Sequence, residues 1–246
     1  MSTTLEHDSR ADSAVGIGKG SKSMKISCDR EQLLHAFQTV AAVAPARSPK
    51  PILQNVKLEV AGDQAMLLAT DLEIGIRHPV SGVDIQTPGM AVLSVARFGS
   101  ILRESTDQTL HLECDDSGIT IRGERSHFRL PAENPAEFPH VSAFEETDYF
   151  EIPARLLREL IRRTVFATDS ESSRYALGGV KLELEGDQIT AVGTDGRRLS
   201  KMTGPITKHG NPQASNDITI VPTRAMNVID AHGPSPSRSR VCANGT

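Results

Sequence analysis

Val56-Lys57-Leu58-Glu59-Val60-Ala61-Gly62-Asp63-Gln64 occurs twice in this chain, the second time as Val180-Lys181-Leu182-Glu183-Leu184-Glu185-Gly186-Asp187-Gln188, 124 residues later. Apolar residues alternate with charged ones, as a strand with one buried face requires, and Gly-Asp then supplies a tight turn into a second strand. The same offset of 124 carries Thr70-Asp71 onto Thr194-Asp195, and an offset of 123 carries Leu33-Leu34 onto Leu156-Leu157. One of about 127 carries Val95-Ala96-Arg97 with Ile101-Leu102 onto Pro222-Thr223-Arg224 with Val228-Ile229. Solenoid repeats are roughly 20–50 residues long. A period this long implies two tandem domains of one fold.

Each copy has the same local pattern. Residues 30–43 place Leu33, Leu34, Phe37, Val40 and Ala41 on one helical face, and residues 153–166 do so with Leu156, Leu157, Leu160, Ile161 and Thr164. Alternating strands follow each helix. Thr109 to Glu113, the turn Asp115-Asp116-Ser117-Gly118 and Ile119 to Arg122 close the first copy with a hairpin. Each copy therefore predicts an α+β unit with two helices packed on antiparallel sheet. The expected divisions are a disordered extension over 1–23, a first domain over 24–143, an incomplete second domain over 147–230 and a low-complexity tail over 231–246. That tail, rich in Ser, Pro and Arg, has no strand pattern and reads as a frameshift product or a disordered end.

Composition removes several classes of function. The 246 residues are 38% apolar and 24% charged, enough for packed cores. No apolar run approaches the ~20 residues of a membrane span, and the N-terminus lacks the apolar core of a signal peptide. Three cysteines at wide spacings form neither a disulfide framework nor a metal knuckle, which points to a reducing cytoplasm. A net charge of −4 excludes coating of nucleic acid through bulk positive charge, but leaves room for a basic stripe. With no Trp and only two Tyr, a base-stacking platform is not expected.

Catalytic motifs are scarce. Asp71-Leu72-Glu73 after an apolar run has the form that opens a two-metal nuclease site, and His111 with Asp116 has a suggestive spacing. The repeat argues against both, because Asp71 recurs as Asp195 while Glu73 becomes Arg197. A Thr-Asp pair that closes a strand accounts for the recurrence. The glycines of residues 16–20 lack the preceding strand and the Lys-Ser/Thr ending of a phosphate loop. Neither a metal nor a cofactor is expected. Basic residues are more informative. At about 100° per residue, Arg155, Arg158 and Arg162 fall within one arc opposite the apolar face. Arg97 and Arg224 at two helix starts, with Arg47 in the loop Pro45 to Lys50, extend a surface suited to phosphates and not to reading bases.

Taken together, these blocks resemble the bacterial DNA polymerase III beta subunit family, the sliding clamps. The resemblance is carried by Met24-Lys25-Ile26, Arg30-Glu31 with Leu33-Leu34, Pro51-Ile52-Leu53 with Asn55, Ala69-Thr70-Asp71-Leu72-Glu73-Ile74, Arg97, Glu137-Phe138-Pro139, Arg174-Tyr175, and Gly193-Thr194-Asp195-Gly196 with Arg198-Leu199. It spans about residues 24–230. It implies tandem DNA-clamp domains, three in a full-length member, closed as a head-to-tail homodimer around double-stranded DNA with helices lining the hole. It also implies a non-catalytic processivity factor of the polymerase holoenzyme, placed on DNA by a clamp loader and tethering the replicative polymerase subunit. By position, Arg47 and Arg97 would face the duplex, and Arg174 and Tyr175 would lie near its path. Leu177, Thr194, Gly196, Arg197, Arg198 and Leu199 would form a groove for partner peptides. Phe98 and Phe128 would sit at the ring interface. The family usually has His where this chain has Arg197, a change that would alter peptide choice, and a tyrosine pair where it has Tyr175-Ala176, a change that would remove one aromatic contact. The departure after residue 230 leaves two further readings, a truncated fragment that binds partners without encircling DNA and a metal-dependent nuclease using Asp71 and Glu73.

Overall fold

The repeated stretch folds into the same hairpin twice in the computed structural model, which describes residues 23–170, 174–212, 219–232 and 238–241. In β2 (Asn55–Ala61), Val56, Leu58 and Val60 are buried. Lys57 and Glu59 share the outer face, with Nζ 2.8 Å from Oε1. The two-residue turn Gly62-Asp63, with Gly62 at φ 58°, leads into β3 (Gln64–Thr70). In the second copy, β11 (Gly179–Glu185) and β12 (Gln188–Thr194) repeat the turn, with Gly186 also at φ 58°. The outer pair recurs as well, with Lys181 Nζ 2.6 Å from Glu183 Oε1. Glycine at the first central position supplies the positive φ that a right-twisted two-residue hairpin needs.

Around these hairpins the first copy adds β1 (Met24–Asp29), α1 (Arg30–Ala41), β4 (Gly75–Pro79), β5 (Val83–Thr87), β6 (Gly89–Ser94), α2 (Val95–Glu104), β7 (Thr109–Asp115), β8 (Gly118–Arg122) and β9 (His127–Leu130). Two antiparallel sheets result, ordered β5-β1-β7-β8-β9 and β4-β3-β2-β6. The second copy adds β10 (Tyr149–Pro153), α3 (Ala154–Thr164), β13 (Leu199–Pro205), β14 (Thr207–His209), β15 (Thr219–Pro222), α4 (Thr223–His232) and β16 (Arg238–Val241). Its sheets run β14-β10-β16 and β13-β12-β11-β15, which reproduce the first copy strand for strand as far as β7.

Helix burial fixes the true register of the repeat. In α1 the buried residues include Leu33, Ala36, Phe37 and Val40; in α3 they include Leu157, Leu160, Ile161 and Thr164. These coincide at an offset of 124, so Leu33 corresponds to Leu157 and not to Leu156. Asp29 caps α1 by accepting from Gln32 N at 2.9 Å. Pro153 takes that place before α3 and makes no such bond. The two helices of the first copy meet through Phe37 and Phe98, edge to face with ring centroids 5.1 Å apart. The segment after β9 returns over the outer sheet. Phe138 and Val141 pack on Leu68, and Arg77 Nη1 donates to Val141 O at 2.9 Å.

The tail departs from its sequence expectation. Ala231 and His232 complete α4, and Arg238–Val241 form β16, antiparallel to β10 with Phe150 opposite Val241. Its place beside β10 is that of β7 beside β1. Side-chain alternation does not announce this strand, because backbone pairing to the open edge of β10 suffices to form it. Residues 1–22, 233–237 and 242–246, for which disorder was expected, lie outside the described residues.

Candidate nucleic-acid interface and partner groove

Eight arginines stand on the four helices against four carboxylates, in a chain whose net charge is −4. Positive charge is therefore concentrated on the helical layer, while the outward strand faces carry alternating Lys–Glu pairs such as Lys57–Glu59. Arg97 is exposed in the first turn of α2. It borders a cleft of about 720 Å³ whose lining also includes Pro45, Ala46 and Glu133, so the loop carrying exposed Arg47 approaches α2. On α3, Arg155 and Arg162 are exposed and Arg158 is half-buried. Arg162 Nε donates to Asp230 of α4 at 3.1 Å, and Arg163 pairs with Glu159 at 2.7 Å. The predicted stripe exists, with part of its charge neutralised between the two helices.

Arg224 does not repeat the position of Arg97. Asn55 pairs with Ser94 in the first copy and Gly179 with Pro222 in the second, so this part of the repeat is offset by 128 residues. Arg224 then corresponds to Ala96, one helical position or about 100° away from Arg97. Its guanidinium turns to the first domain, where Nη1 meets Asp71 Oδ2 and Nη2 donates to Val43 O at 2.7 Å. Arg174 is exposed, and Tyr175 lies in a short 3-10 turn, Tyr175–Leu177; the Tyr175 side chain is outside the described residues.

Of the residues expected to form a groove, Thr194 to Leu199 build the turn that joins β12 to β13. Thr194 Oγ1 accepts from Gly196 N at 3.0 Å and donates to Arg198 O at 2.7 Å. Asp195 Oδ1 accepts from Arg197 N and Arg198 N, both at 2.9 Å. Those backbone donors, with Arg198 beside them, hold the Asp195 carboxyl below the usual aspartate range. Gly196 completes the turn at φ 86°, and Arg197, Arg198 and Leu199 are exposed beyond it. Leu177 is half-buried nearby, its carbonyl accepting from Asp169 N at 2.8 Å. Sequence reasoning missed Phe166, which is 58% exposed and stacks under Arg198, with Cζ 5.8 Å from the ring centroid. With Leu199 at 66%, it gives this region two large exposed apolar side chains. A signal for Phe166 was present: extending α3 by 100° per residue puts it about 180° from Leu157, an aromatic on the polar side.

Asp71 builds the same turn in the first copy. Its Oδ1 accepts from Glu73 N at 3.0 Å and Ile74 N at 2.8 Å, and Thr70 Oγ1 donates to Ile74 O at 2.8 Å. With Oδ2 on Arg224, both oxygens of the carboxylate expected of a nuclease are engaged in structure. Among the described residues, no group of three or more His, Cys, Asp or Glu is placed to hold a metal, and no helix is long and apolar enough to cross a membrane. Phe98 corrects another expectation. It is 0% exposed, packed on Phe37 inside the first core, so it is not on a surface where a ring contact could form. Phe128, half-buried on β9, packs at the margin of that core.

Tandem units of two helices on antiparallel sheets, with arginine concentrated on the helices, define a clamp-type α+β protein. Residues 24–142 match the DNA polymerase III beta subunit N-terminal domain and residues 151–233 match its central domain, and the chain belongs to that family. The beta sliding clamp of Escherichia coli K12 is 31% identical over 228 residues, covering 90% of this chain and 60% of that protein. The beta sliding clamp of Chlamydia trachomatis is 31% identical over 209 residues, covering 85% of this chain and 49% of that protein. The DNA polymerase sliding clamp of Bacillus subtilis superposes with a TM-score of 0.83 at 24% identity, covering 91% of this chain and 60% of that one, a likeness of fold. The chain thus spans about half to three fifths of the length of the relatives it matches.

Proposed function

We propose that this chain supplies the DNA-facing helices and a partner groove of a DNA polymerase III processivity clamp, a non-catalytic cytoplasmic protein that holds the polymerase on duplex DNA without reading its sequence. The observation that carries this reading is the excess of arginine over carboxylate on the four helices, eight against four, in a net acidic chain, with Arg97 and Arg155 outside the pairings that hold Arg162, Arg163 and Arg224. A net positive excess on the helices attracts phosphates to that layer, while the rest of the chain carries a net negative charge. Arg47 and Arg97 are the phosphate contacts of the first domain, and Arg155 and Arg158 those of the second. The exposed Phe166 and Leu199, with Arg197 and Arg198, support a groove for a short apolar peptide of the polymerase or of the clamp loader. Homodimerisation and encirclement belong to the same reading.

Two measurements test it. Binding to a labelled duplex should be independent of sequence, and Arg97→Ala should lower the slope of log affinity against log salt by about 0.9 per lost phosphate contact. Unchanged affinity and slope would remove Arg97 from the interface. Retention on a nicked circular plasmid, after loading, with release on linearisation would establish encirclement; equal release from both forms would leave a chain that binds DNA or partners without surrounding DNA.

A further inference from the structure

The placement of Arg224 bears on how the two domains hold their mutual angle. Its planar fork reaches two groups of the first domain at once, the Asp71 carboxylate after β3 and the Val43 carbonyl after α1, the latter at 2.7 Å. The Asp71 side chain is only 9% exposed, and its second oxygen is committed to the turn. One helical turn further along α4, Val228 packs against the first domain's core. Met226 and Ile229 on the same helix belong to the second core. α4 is therefore shared by both domains, with Arg224 as its polar anchor. A lysine could not reproduce the contact, because a single ammonium lacks the rigid fork that serves carboxylate and carbonyl together.

We propose that Arg224 is a positioning residue: its pairing with Asp71 fixes the angle between the two domains, and with it the curvature of the helical face. The angle itself is independent of the function proposed above; only its consequence for DNA rests on that reading.

The test uses the full chain with spin labels at Glu124→Cys and Asp187→Cys, both exposed positions, in a Cys242→Ser background. Cys28 and Cys114 are buried and stay unlabelled; burial pushes the Cys28 thiol up to about 12. Two variants are compared. Arg224→Ala removes the anchor. Asp71→Asn keeps Oδ1 to cap the turn but turns an amide donor toward the guanidinium, so it breaks the pair alone. Both should broaden and shift the interdomain distance distribution while circular dichroism stays native, and both should weaken duplex binding in parallel. If Arg224→Ala fails to fold, Asp71→Asn decides. An unchanged distribution in Asp71→Asn overturns the proposal. Weakened DNA binding in Arg224→Ala alone, with Asp71→Asn unaffected, would also overturn it and assign Arg224 to phosphate. Loss of DNA binding in the parent chain would refute the functional reading and leave the distance measurement standing.

Discussion

Leu72 and Gly196 occupy the same position of one turn built twice, Leu72 at φ 79° and Gly196 at φ 86°. Thr70 and Asp71 secure the first turn with the same bonds that Thr194 and Asp195 make in the second. Only Gly adopts such a φ without a steric cost, which for other residues is about 1–2 kcal/mol. Leu72 is 56% exposed, so burial returns little of that cost. Leu72→Gly should raise stability by about 0.5–1 kcal/mol, the gain reduced by glycine's larger entropy in the unfolded chain. Gly196→Ala should lower it by about 1 kcal/mol. Urea midpoints at constant slope would decide, and a destabilised Leu72→Gly would contradict the strain argument.

A Cβ on Gly193 would lie 2.2 Å from the carbonyl oxygen of Thr164, at the end of α3. That neighbour is backbone and cannot rotate away. Gly193→Ala should therefore destabilise the second domain by about 1–3 kcal/mol, as overpacking does. The first domain carries buried Ala69 at the corresponding position and should tolerate it. A calorimetric scan that separates the two domains would place the loss in the second transition; a loss in the first would be inconsistent with this packing.

Phe98 stands in the core and not at a ring contact. Phe98→Ala should cost about 3–5 kcal/mol, the range for deleting a buried aromatic ring. Phe128→Ala, half-buried at the margin, should cost less. Chemical denaturation at two protein concentrations distinguishes core from interface: a core loss is independent of concentration, and a concentration-dependent loss would restore the interface role.

The proposed peptide groove should respond to acid through Asp195. Backbone donors from Arg198 and Arg197 depress its carboxyl pKa in the folded chain. A depressed folded value means that the turn is fully supported above the ordinary aspartate value and loses support as pH falls through the folded value. Carbon NMR titration of Asp195 should give a midpoint below the ordinary aspartate value. Asp195→Asn should flatten the acid limb of any peptide-binding profile. An ordinary midpoint would mean that the two backbone bonds do not form in solution.

The sequence by itself determined the repeat, the α+β class and the apolar faces of α1 and α3, because the repeat is a direct recurrence of residues and the rest is set by spacing over a few positions. Alternation in β2 and helical spacing in α1 are local consequences of which side chains avoid water. Tertiary structure decided the rest. Slippage from 124 to 128 residues between strands that pair across the sheet turned Arg224 away from the place of Arg97 and into the seam with Asp71. Phe98 reads as an aromatic near a helix start, and only packing against Phe37 makes it core. β16 exists through backbone bonds to β10, which leave no mark in the side-chain pattern of Arg238–Val241. Contacts between distant segments depend on register and on open edges, and neither is written in the residues that make them.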